Sequence, residues 1–291
     1  MDVYSIVTDR IIEKLEQGTI PWRKPWNGAA GPANAISRRP YTGVNFFLLS
    51  ANPFASPYWL TWNQTQELGG HVREGERSEI VVFWKTYEEE REPATDEAQE
   101  AESEKARKRF VLRYYRLWNV EQIELPEKAR AKFQTDTRIF DPIAEAERII
   151  AAMRDAPAIE YHGSLAFYRP STDTVVLPPR ETFVSPEGFY ESVYHELIHS
   201  VGHSKRLNRP GITESIHFGS ERYGREELIA ELGAAFLCAT AGIDNATLEN
   251  HAGYLKNWLD ALRADKRAII HAAAQAQQAA DYVLNRQPCG Q

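Results

Sequence analysis

Residues 193 to 203 read VYHELIHSVGH, and no other stretch constrains the fold as tightly. The segment leading into it begins with Ser185 and Pro186, a helix start in which serine caps the free N–H groups and proline occupies the first turn. On that helix, four-residue spacing puts His195 and His199 one turn apart on one face, where both imidazoles reach a single ion. Glu196, one residue past the first histidine, projects beside such an ion rather than into its ligand set. There it is placed to take a proton from water and pass it to a leaving amine. Phe189, Val193, Leu197 and Ile198, with Tyr190 and Tyr194, give the same helix surfaces to bury. The bland alternative is a core helix with two hydrogen-bonded histidines, and a third ligand would decide against it.

Three candidates for that ligand compete. One zincin pattern needs a histidine six residues after His199, but that position is Lys205. His203, four residues on, reaches the same face only if the helix continues, and Gly202 argues that it ends. The remaining source is REELIAELGAAFLCATAG, residues 225–242, an apolar helix in which Glu227 and Glu231 share a face. Carboxylates on so apolar a helix are costly without a cation or metal. Glu227 is therefore expected as the ligand, with Glu231 orienting a histidine through its other ring nitrogen. Glu226 points about 100 degrees away and is the weaker candidate. His217, Tyr223, His251 and Tyr254 have no spacing argument for a role in oxyanion stabilisation.

A chain of 291 residues exceeds one common core, so two domains are expected. The run EEEREPATDEAQEAESE, residues 88–104, holds nine acids and one base and reads as solvated loop. It is flanked by SEIVVFWK and RKRFVLRYYRLWNVEQIE, both dense in β-branched and aromatic residues. An antiparallel pair interrupted by an acidic excursion is the simplest account. The division then falls in residues 125–142, giving domains at 1–130, with the insertion 88–104, and at 140–286. Helices are expected from Val3 to Leu15 and from Ile143 to Met153, strands at SLAFYRP and DTVVLPP, and three or more helices at the end. Two cysteines, Cys238 and Cys289, are too few for a disulfide framework and suit a reducing compartment. No signal-peptide core or bilayer-length apolar stretch occurs, so a cytoplasmic protein without membrane contact is expected.

The net charge of −7 hides a basic front. Residues 17–73 contain Arg23, Lys24, Arg38, Arg39 and Arg73 against Glu67 alone, and six of seven tryptophans fall at or before Trp118. Trp22, Trp26, Tyr41, Trp59 and Trp62 sit in polar contexts, and the strand RKRFVLRYYRLW adds Arg113 among aromatics. Cations alternating with aromatics suit single-stranded nucleic acid, whose backbone needs neutralising and whose bases stack on rings. The competing readings are core packing for about half of these rings and a protein interface.

The series IIEKLEQGTIPWRKPWN, YTGVNFFLLS, YWLTWNQTQELGGHVREGERS, VVFWK and YYRLWNVEQIE resembles the N-terminal region of the plasmid antirestriction family ArdC and of conjugative TraC-type primases. DTVVLPP, YHELIHSVGHSKRLNR, REELIAELGAAFL and YLKNWLDALRADKRAIIHAAAQAQQAADY resemble the zincin-like metallopeptidase domain joined to it in ArdC. The resemblance implies an α+β chain: a mixed α/β single-stranded-DNA-binding domain followed by a zincin-like, SprT-like metallopeptidase domain. It implies protection of incoming conjugative DNA from host restriction, with Glu196 catalytic and His195, His199 and the helix bearing Glu227 at the metal. In SprT-type sites the third ligand is a histidine after the motif, which keeps His203 as the alternative to Glu227. One divalent metal is expected, zinc first and manganese second, with single-stranded DNA and a host protein substrate as partners. A non-enzymatic shielding protein with a structural or vestigial metal is the alternative. A magnesium-type nuclease is weaker, because two histidines favour zinc-like metals.

Overall fold

The computed structural model describes residues 2–16, 31–52, 54, 56–88, 108–133, 142–183, 185–214, 221–243 and 251–287. The chain opens with α1 (Val3–Glu16), whose buried Val7, Ile11, Ile12 and Leu15 recur at helical spacing. The Asp2 carboxylate accepts the Ser5 N–H at its start. There follow β1 (Ala33–Asn34), α2 (Val44–Ser50), β2 (Tyr58–Thr61), α3 (Trp62–Glu67) and β3 (His71–Val72). Then β4 (Glu79–Glu88) and β5 (Lys108–Asn119) pair antiparallel from Glu79↔Leu117 to Glu88↔Lys108, so the two aromatic stretches form one long hairpin. Residues 89–107, with most of the acidic run, lie outside the described residues. The sheet order is β1-β2-β5-β4. A short β6 (Ile123–Glu124) pairs with β3, and α4 (Glu127–Arg130) follows.

The second half begins with α5 (Pro142–Ala152). Its sheet has order β7-β9-β8, from β7 (Ala158–Tyr161), β8 (Phe167–Arg169) and β9 (Thr174–Leu177). Strands β8 and β9 were expected, whereas β7 was not. It is a largely exposed edge strand running parallel to β9, and AIEY carries no apolar alternation to betray it. Then come α6 (Pro186–Val201), α7 (Pro210–Thr213), α8 (Glu221–Ala241), α9 (His251–Ala264) and α10 (Ala268–Val283). Among the described residues no helix is long and apolar enough to cross a membrane.

One hydrophobic core runs through both halves. Val7, Ile11, Phe46 and Phe47 from the front join Val193, Leu197, Leu232, Phe236 and Ile269 from the rear. Phe236 of α8 stands 4.9 Å from the Phe46 ring and 4.7 Å from that of Phe47. Polar contacts reinforce the seam: the Thr8 hydroxyl donates to the Lys266 carbonyl at 2.6 Å, and Gly43 N–H donates to Gln277 at 3.2 Å. The first helix of the chain is thus docked on its last helices.

Helix α6 starts as its sequence dictates, with the Ser185 hydroxyl accepting the Gly188 N–H at 3.2 Å and Pro186 in the first turn. It lies against α8 at Gly233, where a Cβ would sit 2.8 Å from the Ile198 side chain. That close approach brings the glutamates of α8 within reach of the histidines of α6.

Candidate metal centre and aromatic surface

His195 and His199 face one another with their Nε2 atoms 3.2 Å apart. Glu227 closes the triangle from α8, one oxygen 3.5 Å from His195 Nε2 and the other 3.6 Å from His199 Nε2. An ion with tetrahedral bonds of about 2.1 Å holds its ligand atoms about 3.4 Å apart, so each imidazole nitrogen stands near ligand spacing from the other and from one Glu227 oxygen. Among the described residues this is the one cluster of three or more histidine, cysteine or acidic groups close enough to hold a metal. His203 is not part of it, because the helix ends at Gly202 and His203 Nδ1 instead accepts the Lys205 backbone N–H at 3.2 Å.

Behind each histidine stands a second carboxylate. Glu231 lies 3.9 Å from His195 Nδ1, on the side expected of it. His199 Nδ1 meets Glu226 at 3.4 Å, the glutamate that helical geometry had ranked lowest. The angular argument was sound for one shared ligand position, but the two histidines present their Nδ1 atoms in different directions. Glu226 is itself gripped by the buried guanidinium of Arg209, which also donates to the Ile198 carbonyl at 2.7 Å. Gly202 and Gly211 make room for this pair. A Cβ on Gly211 would fall 2.6 Å from a Glu226 oxygen, and one on Gly202 would fall 3.1 Å from the Arg209 guanidinium. Tyr223, four residues before Glu227, donates its hydroxyl to it, a contact the spacing could have suggested. No sequence signal singled out Arg209.

Glu196 is 7% exposed, and no described residue donates a hydrogen bond to it. Among the described residues its carboxylate has no hydrogen-bond partner, and its field acts on His195.

Charge is strongly coupled here. Burial opposes protonation of His195, but its hydrogen bond to Glu227 and the fields of Glu196, Glu231 and Glu227 prevail, pushing its pKa up to about 9. Burial would raise Glu227, yet the His195 hydrogen bond, both imidazoles and Tyr223 hold it down to about 2. The folded-state pKa of His195 lies above its ordinary 6.5, so its proton stabilises the metal-free fold below that pH, and this is lost as pH rises through about 9. An incoming ion must expel the proton. Divalent-metal affinity should therefore rise about tenfold per pH unit between about pH 6 and 8 in competition titrations, whereas a flat profile would mean His195 is already neutral.

The front-half residues divide. Trp22, Arg23, Lys24 and Trp26 lie outside the described residues. Trp59 and Tyr41 are corrected: at 2% and 8% exposed they pack with Leu49, Val81 and Leu117, and their faces are closed to a base. Strand β2 is an interior strand, flanked by β1 and β5, which is why its tryptophan is core. Arg38 is exposed but its guanidinium lies 4.2 Å over the Tyr58 ring and donates to the Lys132 carbonyl, tying down the loop. Arg39 is exposed. Trp62 is 50% exposed, edge-on to Trp118 at 5.8 Å. Arg113 is exposed opposite Phe83, whose ring lies 5.9 Å from Tyr115 on the same face. Tyr114 and Tyr115, among the aromatics of the strand that carries Arg113, are exposed, as are Phe83 and Trp84, which the sequence did not mark for a role.

A two-histidine helix facing a glutamate helix is the architecture of a zincin-like metallopeptidase domain, and the model of the zincin-like metallopeptidase family matches residues 144–275. The model of the N-terminal domain of anti-restriction factor ArdC matches residues 1–118. Crystal structures of the antirestriction ArdC protein from plasmid R388 share 34% identity with this chain. The metal-free form superposes with a TM-score of 0.75 over 99% of this chain and 100% of that one, and the Mn(II)-bound form with 0.74 over 98% of each. A protein called y4eC from Sinorhizobium fredii is 37% identical over 98% of this chain and 92% of its own. The DNA primase TraC of Escherichia coli is 36% identical over 96% of this chain, which spans only 26% of that primase. The chain belongs to the ArdC family of antirestriction proteins.

Proposed function

We propose that this chain is an antirestriction protein that binds single-stranded DNA through its front half, holds one divalent ion at His195, His199 and Glu227, and hydrolyses peptide bonds there. Zinc and manganese both suit the donor set, and the Mn(II)-bound relative supports the latter. The single observation that carries this reading is the convergence of two imidazole nitrogens 3.2 Å apart and the two Glu227 oxygens at 3.5 and 3.6 Å from them, with Glu196 beside His195 and without a hydrogen-bond partner among the described residues.

A bound ion would supply Lewis acidity at the scissile carbonyl and lower the pKa of the attacking water. Glu196 accepts that water's proton and returns it to the leaving amine. Glu226 holds the His199 imidazole in the tautomer that offers Nε2, Arg209 holds Glu226 in place, and the Glu231 carboxylate faces His195 Nδ1 at 3.9 Å. Trp62, Phe83 and Tyr115 offer rings for base stacking, with Arg39 and Arg113 for phosphates. Acting in the cytoplasm, the protein would shield conjugative DNA as it enters.

The test is conjugative transfer into a restricting host with wild type and Glu196→Ala. Loss of protection with strand binding intact supports the enzymatic reading. Unchanged protection leaves a shielding protein whose metal is structural. Strand affinity should also exceed duplex affinity and fall steeply with salt.

A further inference from the structure

A cavity of about 310 Å³ opens between α1, the loop before β2 and the turn before β4. Its lining includes Arg10, Lys14, Asn52, Trp59, Arg77 and Glu79. Three cations and two carboxylates, the buried Glu79 and the partly exposed Glu76, thus line it. The pairing is loose: Glu79 lies 3.8 Å from Arg10 and 3.7 Å from Lys14, both beyond hydrogen-bond distance. Lys14, only 16% exposed, otherwise has weak contacts of 3.4 and 3.5 Å to the Ala51 carbonyl and the Asn52 side chain. Arg77 makes no ion pair among the described residues. Glu76 at the rim does not offset it, being occupied by Arg73 and Gln122. Glu79 accepts the Ile80 N–H at 3.0 Å and the Asn52 amide at 3.3 Å, which leaves lone pairs for a further donor. Phe54 and the largely buried Trp59, their rings 5.6 Å apart, supply its apolar lining.

Positive charge for an anion, a buried acceptor and an aromatic lining match a nucleotide, and the volume is at the lower end of small-ligand sites. The position fits as well. Register pairs Glu79↔Leu117, Val81↔Tyr115 and Phe83↔Arg113 put Glu79, Val81 and Phe83 on one face of β4. The exposed Phe83, Tyr115 and Arg113 thus lie on the same side of the hairpin as Glu79, about 13 Å along the strand and beyond the buried Val81 and Leu117.

We propose that this cavity is a nucleotide subsite: Arg10, Lys14 and Arg77 take a phosphate, and Glu79 accepts a hydrogen bond from a base that carries an amino group. The proposal rests on the single-strand reading and refines it, giving the strand a point of base preference that stacking alone lacks.

The test is calorimetric titration of the full chain with dCMP, dTMP, deoxycytidine and oligo(dC), in wild type and Arg77→Ala, an exposed position. Expected are dCMP binding at least about tenfold tighter than deoxycytidine and a several-fold preference for dCMP over dTMP. Arg77→Ala should weaken dCMP binding and lower the salt slope for oligo(dC) by about one. Oligo(dC) binding without dCMP binding, or an Arg77→Ala protein unchanged for both, overturns the subsite and leaves the single-strand reading standing. Failure of oligo(dC) itself overturns both. Equal affinity for dCMP and dTMP overturns the part given to Glu79.

Discussion

A Glu196→Gln protein is expected to bind divalent metal and single-stranded DNA as wild type does, and to lose peptide-bond hydrolysis by about two to four orders of magnitude. General acid–base groups contribute about that much, and glutamine keeps the volume of the side chain while losing the basic oxygen. The expectation is large because no hydrogen bond among the described residues gives Glu196 a structural task. It is buried beside His195, receives no hydrogen bond from the described residues, and forms no ion pair with a cation among them. Activity retained in Glu196→Gln would mean that another group, such as the Tyr223 hydroxyl, carries the proton.

The second large effect lies behind the site. Arg209→Met should weaken metal binding by about ten- to a hundredfold, the range seen when the partner of a ligating histidine is lost. It should also destabilise the fold by about 3–5 kcal/mol, because Glu226 would remain as a buried charge with His199 as its remaining partner among the described residues. Burial would raise the Glu226 carboxyl, but its hydrogen bonds with His199 and Arg209 hold it below the usual range. Adding Glu226→Leu to Arg209→Met removes the orphaned charge. That double variant should recover most of the lost stability in urea unfolding while keeping the metal defect. Recovery of both would make the pair structural only.

The helix with His195 and His199 was legible because its signals are local: a serine cap, a proline in the first turn, four-residue spacing and a glycine end. Glu227 was legible for the same reason, since i, i+4 spacing on an apolar helix marks the face that must be neutralised. The β4–β5 hairpin was legible through its aromatic density on both sides of the acidic run. What escaped depends on geometry between elements. Glu226 was set aside as if the site had one direction of approach, whereas His199 reaches it from the opposite side to Glu227. Arg209 belongs to the loop after α6 and meets Glu226 only because Gly202 and Gly211 let the backbones close. In the front half, the local cues were alike for Trp59 and Trp62 three residues apart, yet one ring is core and the other half exposed. The difference is set by β2 lying between β1 and β5, which composition does not encode.

Whether two histidines of α6 and one glutamate of α8 share a single ion is decided by anomalous diffraction from crystals of the full chain grown with Mn(II). The predicted result is one peak within about 2.0–2.3 Å of His195 Nε2, His199 Nε2 and a Glu227 carboxylate oxygen. A peak ligated by His203 with Glu227 turned away, or no peak at these residues in metal-saturated crystals, would contradict it.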